Sequence, residues 1–166
     1  MEQTVLSMLV DNTFGVLSRV AGLFSRRGYN IESLTVGVTA DPRFSRMTVV
    51  VNGDEVIIEQ IENQLRKLVD VIDIKKLVDK ESVSRELILL KVRAQAEDRQ
   101  AIIAVANIFR ANIVDVAPDS LIIELTGNQS KLEAFIGLLS GYEILELART
   151  GITGLSRGSK DVRYFD

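Results

Sequence analysis

The feature that most restricts the fold of this sequence is a change of hydrophobic period along its first half. Residues 4–10 are apolar and β-rich, and a turn-forming cluster that ends at Gly15 follows them. Apolar residues then recur at helical spacing, at Leu17, Val20, Ala21 and Phe24. Alternation typical of strands returns at 34–38 and 47–51, and a second helical stripe consists of Ile58, Ile61, Leu65 and Leu68. With residues 69–77 as a closing strand, the pattern predicts the order β-α-β-β-α-β.

The same order recurs in the second half. Strands are predicted at 87–92, 113–116, 121–125 and 144–150. The helical stripes between them are Ile102, Val105, Ala106 and Phe109, and then Leu132, Phe135, Ile136 and Leu139. Residue identities also repeat, since Gly53, Glu59 and Leu65 return without gaps as Gly127, Glu133 and Leu139.

The repeat predicts an α+β protein of two tandem ferredoxin-like βαββαβ modules, each an antiparallel sheet with two helices on one face. We expect the first module to span residues 1–80 and the second to span residues 84–166. Modules this small leave sheet edges that need cover. Pairing of chains is the usual remedy, so we expect a homodimer.

The absence of certain residue types narrows the function. The 166 residues include no Cys, no His and no Trp, which excludes Ser–His–Asp and Cys–His catalysis and His- or Cys-ligated metal sites. We therefore expect no catalytic residue and no metal site. A net charge of −3 argues against nucleic-acid binding. Because no apolar run reaches the ~18 residues of a membrane span and no signal peptide is recognisable, we expect a cytoplasmic protein.

Two short segments could bind a ligand. The turn that contains Asp11, Asn12 and Gly15 precedes a helix, whose first N–H groups and dipole attract a carboxylate. A turn that only caps this helix is the simpler interpretation from local chemistry. The second segment is Asn30 with Ile31, after the helix stop at Gly28. Asn30 could reach a ligand on a partner module, or could only close a turn.

At this point the residues resemble a known family. The run Asp11-Asn12-Thr13-Phe14-Gly15-Val16-Leu17 resembles the N-x-x-G-x-L opening of ACT domains, which are amino-acid-sensing modules. The longer run at 22–36, Gly-Leu-Phe-Ser-Arg-Arg-Gly-Tyr-Asn-Ile-Glu-Ser-Leu-Thr-Val, is similar to the small regulatory subunit of acetolactate synthase, also called acetohydroxyacid synthase (AHAS). Segments 45–48, 60–71 and 148–158 extend the resemblance to nearly the whole chain.

The resemblance implies a subunit with no active site and no cofactor of its own. It implies a large catalytic subunit as partner, which carries thiamine diphosphate, Mg²⁺ and FAD, and which the small subunit activates. It also implies feedback inhibition by valine, bound where two N-terminal ACT domains pair. Carried onto this sequence, the effector-binding residues are Asp11, Asn12, Gly15, Val16, Leu17, Asn30 and Ile31.

Two details of the sequence bear on this implied site. Phe14 departs from the family pattern, in which a smaller or more polar residue often precedes the glycine. The second module has Arg93-Ala94-Gln95-Ala96 where the first has its Asn and Gly, so we expect only the N-terminal module to bind the effector. The sequence does not choose between valine, leucine and isoleucine.

Three other functions remain open at the level of the sequence. The chain could be a free-standing ACT-repeat sensor that acts on another enzyme or on transcription. It could be a small ferredoxin-like enzyme that uses carboxylates, although no convergent acidic pair is recognisable. It could be an RNA-binding module of the same topology, but its 6 Phe and 3 Tyr do not cluster on a strand as that function requires.

Overall fold

The computed structural model of the chain describes residues 2–159, and these form two compact units. The first unit consists of residues 2–84 together with residues 152–159, and the second consists of residues 85–151. No helix within residues 2–159 is long and apolar enough to cross a lipid bilayer.

The first unit has the predicted ferredoxin-like topology. Its elements are β1 (Glu2–Asp11), α1 (Val16–Arg27), β2 (Ile31–Val38), β3 (Phe44–Gly53), α2 (Glu55–Arg66) and β4 (Val71–Leu77). The strands form an antiparallel sheet in the order β2-β3-β1-β4, in which Met8 of β1 lies opposite Met47 of β3. Because side chains alternate along a strand, Leu6, Met8 and Val10 share the face that packs against the helices.

The helices of this unit confirm one predicted stripe and change the other. In α2, Ile58, Ile61 and Leu65 are buried as predicted, whereas Leu68 of the same stripe lies beyond the helix end at Arg66 and is partly buried. The Asp54 carboxylate caps the helix by accepting from the Ile57 N–H at 2.9 Å. In α1 the buried residues are Val16, Val20, Leu23 and Phe24. Leu17, predicted to be in the stripe, is 47% exposed. The observed and the predicted stripe share Val20 and Phe24. The buried face of α1 is therefore rotated about the helix axis relative to the predicted face.

The second unit repeats the topology. Its elements are β5 (Ser82–Arg93, of which residues from 85 onward belong to this unit), α3 (Arg99–Ile108), β6 (Asn112–Ala117), β7 (Ser120–Gly127), α4 (Gln129–Leu138) and β8 (Ile144–Arg149). The sheet order is β6-β7-β5-β8. Phe135 is fully buried, and its ring packs edge-on against Phe109 with centroids 5.3 Å apart. The fold class is therefore the predicted one, two ferredoxin-like modules.

The unit to which the segment after residue 151 belongs differs from the predicted division into modules 1–80 and 84–166. It forms a further strand, β9 (Thr153–Ser156), which pairs with β5 and belongs to the first unit. The Ile152 N–H donates to Ser33 Oγ at 3.1 Å, and Thr35 Oγ1 donates to the Ile152 carbonyl at 3.2 Å. These bonds join residues more than a hundred positions apart, which a local sequence pattern does not register. Residues 160–166 of the predicted second module lie outside the described residues.

Candidate functional site

The turn after β1 is fixed by hydrogen bonds to two other segments. The Asp11 N–H donates to the Asp70 carbonyl at 2.9 Å, and the Asn12 N–H donates to the Arg43 carbonyl at 2.8 Å. The side-chain amide of Asn12 donates to the Pro42 carbonyl at 2.9 Å. The side-chain amide of Asn12 thus holds the loop before β3. These hydrogen bonds join the turn to the loop before β3 and to the turn before β4, and the three segments together form the corner at which α1 begins.

Helix α1 begins at this corner with its first N–H groups uncapped by a side chain. The N-cap residue is Gly15, whose φ of 87° lies in the left-handed region that glycine tolerates best. Within the described residues no side chain accepts from the opening N–H groups, and the first helical turn contains no acidic residue. Val16 is buried beneath this turn, while Leu17 projects from it. The arrangement provides donors and partial positive charge, which suit a carboxylate.

An ion pair lies against the turn, and the sequence did not reveal it. Arg19 donates from Nε to Asp70 Oδ2 at 2.5 Å and from Nη2 to Asp70 Oδ1 at 3.0 Å. The hydrogen bond from Arg19 holds the pKa of Asp70 below its usual range, although desolvation acts in the opposite direction. The same bond raises the pKa of Arg19. The pair therefore stays ionised at neutral pH and anchors α1 to the turn before β4.

The loop before β3 forms the other side of the corner. Asp41 accepts from the side chain and the backbone N–H of Arg43, and these hydrogen bonds lower the pKa of Asp41. The Phe44 N–H donates to the Asp41 carbonyl at 3.0 Å, which closes the loop. The second unit has no such loop, since β6 and β7 are joined by a two-residue turn at 118–119. The corner around Asn12 therefore exists only in the first unit.

Asn30 and Ile31 lie at the opposite end of α1 from Gly15. Gly28 ends the helix with φ 71°, and the Tyr29 N–H then donates to the Phe24 carbonyl at 3.0 Å. A helix of 12 residues is about 18 Å long. The structure therefore brings Asp11, Asn12, Gly15, Val16 and Leu17 together but does not bring Asn30 and Ile31 to them within one chain. Asn30 is exposed, and Ile31 begins the outer strand β2.

Apolar side chains are exposed around these segments. Phe14 is fully exposed beside Gly15, and Val36 and Val38 of the outer strand β2 are exposed by 47% and 61%. Sequence reasoning found Phe14 but gave no role to Arg19, Asp70 or Val36. The alternation at 34–38 predicted a strand but not the exposure of Val36, and nothing local joins Arg19 to a carboxylate 51 residues away.

Comparison with known proteins identifies relatives over both units. A family with the description "AHAS small subunit-like ACT domain" matches residues 6–73. A second family, "Small subunit of acetolactate synthase", matches residues 85–158.

Curated relatives match along almost the whole chain. A "Probable acetolactate synthase small subunit" of Methanothermobacter thermautotrophicus is 51% identical over 157 residues, 94% of each chain. The "Acetolactate synthase isozyme 3 small subunit" of Escherichia coli is 48% identical over 160 residues, 96% of this chain and 98% of that protein. A crystal structure of the acetolactate synthase small subunit of Thermotoga maritima superposes with a TM-score of 0.88 at 45% identity, covering 96% of this chain and 100% of the other.

Proposed function

This chain belongs to the family of acetolactate synthase small subunits, which has a regulatory role in that enzyme, and on that basis we propose that it activates the large catalytic subunit and makes it sensitive to feedback inhibition by valine. In this proposal the chain has no catalytic activity of its own. Thiamine diphosphate, Mg²⁺ and FAD are held by the catalytic subunit in the cytoplasm, and this chain binds none of them.

The observation that carries the proposal is the uncapped start of α1 at Gly15. A valine carboxylate would accept from the opening N–H groups, where the helix dipole favours an anion. The absence of a Cβ at Gly15 lets the ligand approach the backbone closely. The oxygen of the Asn12 side chain is a suitable acceptor for the ammonium group, because the amide nitrogen of that side chain is held by Pro42. Asp11 adds a carboxylate at the same corner.

We further propose that the site is completed by a second copy of the chain. Asn30 and Ile31 lie about 18 Å from Gly15 in one chain, so they can face the ligand only from a partner. The strand β2 is at the end of the sheet order, and its outer edge is open to pairing. Leu17 beside the turn provides apolar surface for the isopropyl group. The effector would then favour one arrangement of the dimer, which is the requirement for regulation of a bound enzyme.

Reconstitution with the catalytic subunit tests the proposal. Acetolactate formation is measured for the catalytic subunit alone, for this chain alone, and for the mixture with and without valine, leucine and isoleucine. We expect no turnover by this chain alone, higher activity of the mixture, and inhibition strongest with valine. If the two proteins do not co-purify and this chain does not change the activity of the catalytic subunit, the proposal fails and the alternative of a sensor for another target is favoured.

A substitution at Gly15 tests the location of the effector. Gly15→Asp places a carboxylate and a side chain beside the bound carboxylate, so we expect activation to persist and valine inhibition to weaken by at least tenfold, roughly the effect of one lost charged hydrogen bond. Gly137→Asp is the matched control, because Gly137 is an exposed helical glycine of the second unit with nothing within 4 Å of an added Cβ. Undiminished valine inhibition in Gly15→Asp would place the site elsewhere.

A further inference from the structure

A cleft in the first unit shares no residue with the effector site. It has a volume of about 400 Å³ and lies at the end of β4. Residues 75–78 provide one wall, Lys80 and Glu81 of the short 3-10 helix Asp79–Glu81 provide the second together with Ser82, and Ser156 with Arg157 provides the third. The volume is in the range of ~300–1,000 Å³ that is typical of small-molecule sites.

The cleft is strongly cationic in a chain that is acidic overall. Lys75, Lys76, Lys80 and Arg157 line it, with Glu81 as the one acidic residue. Four positive groups and one negative group give a local charge of +3, whereas the whole chain has a net charge of −3. None of the four cations forms an ion pair with any residue between 2 and 159. A bound anion would be attracted to these unpaired cations.

The shape of the cleft is set by the backbone. The Glu81 N–H donates to the Val78 carbonyl at 2.9 Å, and Ser82 Oγ donates to the same carbonyl at 2.6 Å. The Arg157 N–H donates to the Glu81 carbonyl at 2.7 Å, which holds the end of β9 against the turn. At Gly154 an added Cβ would lie 3.0 Å from Leu77 Cδ1, so β9 approaches this wall as closely as a glycine allows. The walls are therefore held in place by backbone hydrogen bonds, and cationic residues line the cleft from three segments.

A backbone donor also lies at this edge. The strand β4 is outermost in its sheet. The backbone N–H and C=O of Ile74 face the outer edge of the sheet and not β1. The N–H donates to Asp73 Oδ1 at 2.8 Å, and the carbonyl accepts from Arg66 Nη2 at 3.1 Å. Backbone direction alternates along a strand, so the N–H of Lys76, two residues on, is on the same outer edge. Backbone N–H groups beside cations are a common setting for oxyanions.

We propose that this cleft binds a small anion that carries several phosphate groups. A monocarboxylate such as an amino acid would leave most of the +3 charge uncompensated, and a single phosphate would fill only part of the space. An oligophosphate satisfies both the charge and the volume. The proposal does not depend on the function proposed above, because the cleft shares no residue with the effector site.

Calorimetric titration of the full chain with inorganic tripolyphosphate tests the cleft directly. We expect one site per chain, an affinity that falls as salt is added, and binding of inorganic phosphate at least about tenfold weaker. The double variant Lys80→Gln/Arg157→Gln should weaken tripolyphosphate binding by at least about tenfold, because two charged hydrogen-bond donors are removed. The hydrogen bond from Arg157 to Glu81 uses the backbone and survives this substitution.

The matched control is Arg26→Gln/Lys67→Gln, which removes the same charge from exposed helix ends outside the cleft. We expect this control to bind tripolyphosphate within about twofold of the parent chain, as expected for screened surface charges. Circular dichroism establishes that both variants are folded. Absence of binding by the parent chain, or equal loss in both double variants, would overturn the proposal.

Discussion

Arg19 Nε lies 2.5 Å from Asp70 Oδ2, and Arg19 Nη2 lies 3.0 Å from Asp70 Oδ1, so one arginine at the start of α1 binds both oxygens of a buried carboxylate. The Asp70 side chain is 9% exposed, and the Arg19 side chain is 48% exposed. The backbone carbonyl of Asp70 also accepts from Asp11, which ends β1. Asp70 thus holds both sides of the turn in which Asn12 and Gly15 lie.

The first prediction concerns the pH dependence of this pair. Because Arg19 lowers the pKa of Asp70 in the folded chain, the ionised carboxylate stabilises the fold at any pH above its unfolded pKa of about 3.9. This stabilisation is lost as the pH falls through the lower, folded-state pKa. Asp70→Asn should therefore reduce the free energy of unfolding at neutral pH, and the deficit should shrink in acid. Urea unfolding at neutral pH and below pH ~3.9 measures it.

Asp115→Asn is the control for this measurement. Asp115 is an exposed carboxylate of the second unit, and it forms no ion pair within residues 2–159. We expect its substitution to leave the free energy of unfolding nearly unchanged at either pH. A deficit in Asp70→Asn that stayed constant down to the acid range would contradict the assigned role of the carboxylate.

The second prediction compares two glycines at the ends of α1. Gly15 and Gly28 have φ values of 87° and 71°, so alanine at either position should cost ~1–2 kcal/mol from the left-handed backbone alone. At Gly28 an added Cβ meets nothing within 4 Å, whereas at Gly15 it lies 2.9 Å from Arg19 Nη1. Arg19 cannot retreat without weakening its bonds to Asp70. Gly15→Ala should therefore destabilise the chain more than Gly28→Ala does.

A double-mutant cycle isolates this contact. In an Asp70→Asn background Arg19 is free to move, so the difference between Gly15→Ala and Gly28→Ala in the free energy of unfolding should become smaller. An unchanged difference would mean that the ion pair does not constrain Arg19 at the turn.

The third prediction concerns Thr48 in β3. Its Oγ1 is buried and has no hydrogen-bond partner within residues 2–159. Replacing it by the similarly shaped Val should be neutral or should stabilise the chain by up to ~1 kcal/mol, since a buried unsatisfied hydroxyl is costly. Its cross-strand neighbour Thr35 serves as the comparison, because its Oγ1 donates to the Ile152 carbonyl at 3.2 Å. Thr35→Val should cost ~0.5–1.5 kcal/mol in urea unfolding. A larger loss in Thr48→Val than in Thr35→Val would be the contrary result.

The fourth prediction tests the placement of β9 in the first unit. A Cβ at Gly154 would lie 2.7 Å from Ser84 Oγ and 3.0 Å from the Val83 carbonyl, and the carbonyl, as backbone, cannot rotate away. Gly154→Ala should therefore destabilise the chain by ~1–3 kcal/mol through overpacking. Gly137→Ala should have the opposite sign and stabilise by ~0.5–1 kcal/mol, because Gly137 is inside helix α4 with open space around it. Thermal unfolding of the two variants measures both changes in stability. If Gly154→Ala were as stable as the parent chain, β9 would not be packed as closely as inferred.

Much of the architecture follows from local pattern. The period change and the glycine at 28 predict the element order, because each is a short-range property of a helix or strand. The rotation of α1 does not follow in this way. Leu17 and Val16 are both apolar neighbours of the turn, and only packing against the sheet decides that Val16 is buried and Leu17 is exposed.

Some residues of the candidate site can likewise be predicted from the sequence, and others cannot. Asn12 and Gly15 are recognisable because a helix entry with a left-handed glycine depends on adjacent residues alone. No local sequence pattern identifies Asp70, since its role arises from a hydrogen bond to a residue 51 positions away. The separation of Asn30 from Gly15 by the length of α1 likewise follows from the observed helix bounds, and it is the reason that a partner chain enters the proposed site.

The sequence by itself therefore determined the two βαββαβ repeats, the family, and the turn at which an amino-acid carboxylate is expected to bind. Hydrophobic period, caps and turns are encoded within a few residues, so they are readable without coordinates. Only the tertiary structure decided that Arg19 binds Asp70, that β9 belongs to the first unit, and that four cationic residues of that unit line one cleft. Each of these depends on residues far apart in the chain, whose proximity is produced by packing of the complete unit.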